Sequence, residues 1–308
     1  MTNNTYFYSL NEYYKQKFGQ KAYKISLNAG LTCPNRDGTL GNRGCIFCSQ
    51  GGSGDFAASS LLSITEQISV AIDKVSAKYT GNCYIAYFQA FTNTYAPVDR
   101  LRDIYMQAVN DTRISGISIA TRPDCLEYDI IELLCEINNI KPVYIELGLQ
   151  TTNEETASYI RRGYTLDVFD DACNRLKSVG IPVIVHMIVG LPGESHNDYI
   201  NTANHIADLN VQGIKIQLLH VLKGTDLASD YEMHKFDTLS LEEYVKTVVD
   251  IIEILPPDMV IHRITGDGPK DLLIDPLWST NKKNVLNSIT KEFKRRNTYQ
   301  GKGYTQWL

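Results

Sequence analysis

Residues 183–218 read VIVHMIVGLPGESHNDYINTANHIADLNVQGIKIQL, and three kinds of order follow one another within them. Residues 183–189 form an apolar run of strand length, rich in β-branched side chains and interrupted only by His186. Gly190, Pro192 and Gly193 break the chain, Ser195 offers a side-chain cap, and residues 195–209 carry apolar groups at helical spacing. A second apolar run, 214–218, closes the unit. Runs that are apolar on both sides of the pleat belong to strands covered on both faces. Two of them joined through a helix are parallel neighbours with a right-handed crossover.

The same alternation extends outward in both directions. Strands are predicted at 23–27, 84–88, 118–121 and 143–149, and helices at 64–79, 98–110, 127–138, 166–179 and 241–255. Six βα units predict an α/β fold, a partial (β/α)6 TIM-like barrel, in a single domain over 1–308 with N- and C-terminal extensions. Its core is expected over about 20–255, with a C-terminal extension over about 256–308. In parallel barrels the chemistry gathers where strands end. Polar clusters follow each predicted strand there: a cysteine-bearing loop, then 89–93, 121–124, 150–153, 190–194 and 220–225.

No signal-peptide pattern opens the chain and no run of about 18 apolar residues occurs, so a cytoplasmic protein without membrane contact is expected. Seven cysteines in such a setting argue for metal binding or burial rather than disulfides. Cys83, Cys125, Cys135 and Cys173 sit among apolar or helical residues and are expected to be small buried hydrophobes. Cys33, Cys45 and Cys48 lie together in CPNRDGTLGNRGCIFC, with gaps of eleven and two residues. The CxxC pair alone fits zinc, thiol redox chemistry or iron. A third thiolate in the same loop favours a metal, and with the next Cys or His only at Cys83 and His186, an iron–sulfur cluster with one open corner fits better than closed zinc. Zinc completed by a distant residue remains the alternative.

The net charge of −5 is unevenly spread: residues 281–308 hold seven cations against Glu292, a local +6 that leaves −11 on the remainder. Such a tail is either an arm for a polyanion or a solvated terminal helix. Its rings, Phe293, Tyr299, Tyr304 and Trp307, suit stacking on bases or packing on the barrel.

The cysteine loop resembles that of the radical S-adenosylmethionine (SAM) superfamily, with Phe47 matching the aromatic position near the adenine. Its long first gap is similar to the branch containing the catalytic subunit of Elongator and its bacterial relatives. Further resemblance lies in YFQAFTNTYAP (87–97), SIATRPD (118–124), ELGLQTTNEETASYIRRG (146–163), HMIVGLPGE (186–194), HRITGDGP (262–269) and TYQGKGY (298–304), so that it covers nearly the whole chain. The resemblance implies a 4Fe-4S cluster on Cys33, Cys45 and Cys48, with SAM on the open iron. Reduction would then release a 5′-deoxyadenosyl radical. It further implies SAM contacts from Gln89, Thr92 and Asn93, from Thr121, from Gln150 to the ribose and from Arg162 to the carboxylate. His186 stands where some relatives have aspartate, and Ala120 where coproporphyrinogen-dehydrogenase-like members have a SAM-binding glutamate.

The implied activity is tRNA modification, converting wobble carboxymethylaminomethyl-uridine to aminomethyl-uridine. The implied partners are tRNA, an electron donor such as flavodoxin or ferredoxin, and a downstream tRNA methyltransferase. The rivals are Elongator-like modification of another RNA position and a non-catalytic zinc-binding RNA-binding module.

Overall fold

The computed structural model describes residues 6–52, 57–76, 79, 81–266 and 268–305. Seven strands form one parallel sheet: β1 (Tyr23–Leu27), β2 (Tyr84–Phe88), β3 (Ile114–Thr121), β4 (Val143–Gln150), β5 (Val183–Val189), β6 (Gly213–Leu218) and, after a short β7 (Val221–Leu222), β8 (Val260–Arg263). They pair in chain order without a reversal, so the sheet is a barrel segment rather than a doubly wound sheet, and β1 and β8 are its edges. β7 pairs antiparallel with β9 (Leu273–Asp275) beside it.

The helices are α1 (Leu10–Phe18), α2 (Ile64–Ser76), α3 (Val98–Asn110), α4 (Tyr128–Asn138), α5 (Glu154–Tyr159), α6 (Leu166–Ser178), α7 (His196–Asp208), α8 (Asp226–Glu232), α9 (Leu241–Ile254) and α10 (Lys282–Arg296). Ser63, Ser195 and Ser240 begin α2, α7 and α9 as expected. Each pairs with the acid three residues on, as where Glu243 N donates to Ser240 Oγ and Ser240 N to Glu243 Oε2. Such caps contribute about 1 kcal/mol each.

Alternation along the strands sorts the side chains. Ile25, Phe88, Ile117, Ile145, Val185 and Ile216 point outward into the main core with Ile68, Leu101, Leu134, Phe169, Ile206 and Val248 of the helices. The alternate positions, Lys24, Tyr87, Ser118, Glu146, His186 and Lys215, bond to one another within the half-barrel. The predicted alternation of strands and helices therefore holds, with a seventh strand added. Residues after 255 are more than an extension, since Val260–Arg263 joins the sheet beside β6. Its brevity and its two polar residues conceal it in the sequence.

The chain ends brace that edge. Ser9 bridges Ile261, Gln300 accepts from Tyr8 N and donates to the Pro256 and Met259 carbonyls, and Tyr6 stacks on Phe293 at 5.3 Å. The basic tail is thus no free arm. Helix α10 buries Val285, Ile289 and Phe293, and Arg296 pairs with Asp250 and Glu292. Tyr304 packs partly buried against the core, Tyr299 is exposed, and Trp307 lies outside the described residues.

Candidate functional site

All three loop cysteines are partly exposed in the loop after β1, and none is in a disulfide. Their placement is fixed by the loop itself: Arg36 N donates to Cys33 O at 2.8 Å, Cys48 N to Cys45 O at 3.0 Å, and the Arg36 guanidinium to the Cys48 and Ser49 carbonyls. Gly44 has φ +74°, and a Cβ there would lie 2.9 Å from Arg36 Nε, so only glycine lets the arginine fold back. Asn35 joins this loop to the one after β4, its Nδ2 donating to Arg161 O at 2.8 Å and lying 3.5 Å from Cys45 Sγ. Arg122, held bidentate by Asp124, reaches the Arg162 carbonyl at 3.0 Å from the end of β3. Three strand ends are thus tied together around the thiols.

Burial first, then Cys48, pushes the Cys45 thiol up to about 11, and Cys33 acts on it as well. The Arg122 guanidinium acts on Cys45 in the opposite direction, and bound iron would add the further positive charge that holds thiolates. Among the described residues no three His, Cys, Asp or Glu side chains converge on one ion. A cubane takes each thiolate to a different iron and needs a wider triangle than zinc.

The neighbouring loops carry marks of a ligand site. Ala90 and Phe91 after β2 adopt φ +77° and +62°, and Gln150 at the end of β4 adopts φ +64°, strained conformations for non-glycine residues. Thr92 Oγ1 and Asn93 Oδ1 are buried without a hydrogen-bond partner among the described residues. The Asn93 amide is nonetheless fixed, donating to the Ala90 and Ala120 carbonyls, and Thr92 N donates to Thr32 O beside Cys33. Oriented acceptors left without donors inside a fold are expensive unless a ligand meets them. Gln89 is buried beside them, its N–H donating to Leu27 O. Phe47 borders a small apolar cluster of Ile46, Ile188, Leu191 and Leu219, a surface suited to a flat ring.

Other predicted residues are placed differently. The hydroxyls of Thr121 and Thr94 lie 2.5 Å apart and brace two loops. Gln150 Oε1 lies 3.2 Å from Tyr164 OH, which donates to Gly148 O. Arg162 is only 1% exposed, with its guanidinium on the carbonyls of Tyr164, Leu149 and Thr151 and on Glu154. It braces its own loop through these carbonyls and pairs with the Glu154 carboxylate. His186 is not at the rim but within the half-barrel, its Nε2 2.7 Å from Glu146 Oε2. Glu194 at the end of β5 is bonded by Thr151, and burial raises it to about 7.

Sequence reading passed over the residues around His186. Glu146 is fully buried and accepts from Lys24 at 2.5 Å, Ser118 at 2.6 Å, His186 and Lys215. Lys215 also donates to Tyr87 OH at 3.1 Å, with both lysines over the Tyr87 ring. A signal existed, for each charge stands alone between apolar neighbours in a strand, as in YKISL and GIKIQL. By contrast, the groove of about 460 Å³ between α9 and α10, lined by Leu241, Val245 and Lys291, lies on the outer helical layer.

Comparison with known proteins agrees with this arrangement. Residues 38–206 match the Radical SAM superfamily and residues 211–295 the Radical_SAM C-terminal domain. The chain is 47% identical to the protein YtqA of Bacillus subtilis over 96% of its own length and 92% of YtqA. It is 27% identical to a tRNA uridine(34) acetyltransferase of Methanocaldococcus jannaschii over 57% of its own length and 33% of that protein. Its fold superposes on the archaeal Methanocaldococcus infernus Elp3 with a TM-score of 0.70 at 18% identity, over 91% of this chain and 64% of the Elp3 chain. With three thiols at the rim of an open parallel barrel and more than half of its length matched, the chain shares the Elp3 fold and belongs to the radical SAM superfamily.

Proposed function

We propose that the protein binds a 4Fe-4S cluster through Cys33, Cys45 and Cys48 and SAM against Phe47, Gln89, Thr92, Asn93 and Gln150. With them it converts wobble carboxymethylaminomethyl-uridine of tRNA to aminomethyl-uridine in the cytoplasm. The observation that carries the cofactor reading is the pair of buried oxygens without partners among the described residues, Thr92 Oγ1 and Asn93 Oδ1, in a loop bonded to Thr32, the residue before Cys33. When bound, the cluster supplies the electron that cleaves SAM, and the cofactors carry the difficult bond chemistry. The chain's own residues orient the adenosyl end on the Phe47–Leu191 surface and keep water from the interior of the half-barrel. The tRNA reading is supported by the similarity to a tRNA uridine(34) acetyltransferase and by the lysines on the exposed side of α10. A flavodoxin- or ferredoxin-type donor would supply the electron, and a tRNA methyltransferase would act on the product.

The test compares tRNA nucleosides by mass spectrometry from cells with and without the gene, and then from tRNA treated with the reconstituted enzyme. Carboxymethylaminomethyl-uridine should accumulate without the gene and fall on treatment. An unchanged wobble-uridine profile removes the substrate assignment and leaves Elongator-like modification of another position. Metal analysis of anaerobically prepared protein decides the cofactor: about four iron and four sulfide per chain are expected. One zinc and no iron would mean the zinc-binding module.

A further inference from the structure

Arg122 follows the last residue of β3 and stands directly before Pro123, and a residue before proline keeps an extended backbone. Its φ of −100° and ψ of 148° follow that rule, and the tight turn Pro123–Cys125 then brings Asp124 back against its guanidinium. Arg122 Nε donates to Asp124 Oδ1 at 2.9 Å and Nη2 donates to Asp124 Oδ2 at 2.7 Å. The two side chains of this bidentate pair are only 9% and 21% exposed.

The remaining nitrogen, Nη1, serves the cysteine loop. It donates to the Arg162 carbonyl at 3.0 Å, and the same oxygen accepts from Asn35 Nδ2 at 3.3 Å. Asn35 Nδ2 in turn lies 3.5 Å from Cys45 Sγ. Gly163, at φ +82°, permits the crowding, since a Cβ there would lie 2.9 Å from Asn35 Oδ1 and 3.3 Å from Arg122 Nη2. The Tyr164 ring covers the guanidinium at 4.8 Å. At the other end of the pair, Asp124 Oδ1 lies 3.8 Å from Cys125 Sγ.

The ion pair is closed, with no spare charge, but it has a direction. Its positive end meets the carbonyl and amide that reach Cys45, and its negative end lies beside Cys125. The thiols respond in that sense. Burial and then Cys48 push Cys45 up, and Arg122 is the first group to pull it down, followed by Asn35. Burial and then Asp124 push Cys125 up. A buried pair is screened little by solvent, so its direction is felt by whatever the thiols hold.

We propose that the Arg122–Asp124 pair tunes the reduction potential of the cluster held by Cys33, Cys45 and Cys48, with Arg122 as a positioning residue that favours the reduced state. The assignment rests on the cluster reading above and deepens it. Reduction adds one negative charge, and the net charge near a cluster and the hydrogen bonds to its sulfurs set its potential. The positive end of the pair favours the added electron, while the shared Arg162 carbonyl keeps the Asn35 amide against the Cys45 sulfur. A flavodoxin- or ferredoxin-type donor then delivers its electron more easily.

The test titrates the anaerobically reconstituted protein with dithionite and mediators, follows the reduced cluster by electron paramagnetic resonance, and counts iron in each sample. Arg122→Gln keeps an amide for the Arg162 carbonyl and removes the charge. Its midpoint should fall by about 59 mV, roughly tenfold in the ratio of reduced to oxidised cluster at a fixed potential. Asp124→Asn removes the negative end, and its midpoint should rise. Both variants break the same bidentate pair, so a purely structural brace would shift both midpoints the same way. Midpoints that move together, or that stay put in either variant at wild-type iron content, overturn the proposal. If Arg122→Gln holds no cluster, the sign for Asp124→Asn decides alone, and a fall or no change overturns it. A wild type that carries zinc and no iron removes the cluster reading itself, and this assignment with it.

Discussion

Replacing Glu146 with glutamine is the sharpest probe of the interior network. Its carboxylate is fully buried between Lys24 and Lys215, whose side chains are 15% and 6% exposed. Removing one partner from a buried ion pair costs about 3–5 kcal/mol, because the other charge is abandoned. Glutamine still offers a carbonyl oxygen to Lys24 and Ser118, and Lys215, already near 7, can shed its proton. We therefore expect about 3 kcal/mol at pH 7, a large part of a typical total of roughly 5–15 kcal/mol.

The sign with pH follows from linkage. The lysines beside Glu146 hold its carboxyl well below the usual range against the opposing cost of burial. Its contribution is therefore present above the unfolded value and is lost as pH falls through the folded one. Lys215 is lowered, so the unfolded chain binds more protons between about 7 and the ordinary lysine value, and stability rises with pH across that window. Without Glu146 the abandoned charge on Lys215 disappears as pH rises, so the deficit should be larger at pH 6 than at pH 9. Urea unfolding followed by circular dichroism under anaerobic conditions, at matched cluster content, measures it. In the double variant Glu146→Gln/Lys215→Met the loss should be at least about 1 kcal/mol smaller than the sum of the single losses. A deficit below about 1 kcal/mol, or one equal at both pH values, would refute the coupling.

Asn35→Ala removes the tie between the cysteine loop and the Arg161 carbonyl and the amide near Cys45 Sγ. Iron per chain after desalting should fall while the apo fold melts within about 2 kcal/mol of wild type; full iron retention counts against the brace. Glu194 is raised to about 7, so the folded state holds its proton where the unfolded chain has lost it, and stability declines as pH rises from the ordinary glutamate value to about 7. Glu194→Gln should therefore gain on wild type at pH 8 relative to pH 5, and parallel melting curves at the two pH values would contradict this. On α10, Lys283, Lys291 and Lys294 are exposed, whereas Arg295 and Arg296 are engaged with Glu292. Changing the three lysines to alanine should reduce the slope of log K for tRNA against log salt by roughly 2, since each lost phosphate contact removes nearly one counterion. An unaltered slope takes α10 out of the tRNA interface.

The local grammar of the chain was readable without coordinates. Apolar strands, serine caps and proline or glycine stops are short-range properties, and the strands at 84–88 and 183–189 and the helix at 98–110 appear where their patterns place them. The cysteine spacing was legible for the same reason, because the three thiols sit in one loop and approach each other whatever the remainder of the fold does.

Partnership across the barrel was not readable. Glu146, Lys24 and Lys215 are separated by 122 and 69 residues and meet only because parallel strands in chain order turn alternate side chains to a shared interior. Arg162 shows the converse: its position in the chain says nothing of the bonds it makes to the Tyr164 carbonyl and the Glu154 carboxylate, which only the folded turn displays. The amino-acid order alone settled the periodicities and the grouping of three cysteines in one loop, since these depend on neighbours along the chain. Which charges face one another, and which polar atoms remain for a ligand, was settled by the curl of the sheet, because burial and hydrogen bonding are properties of distance in space.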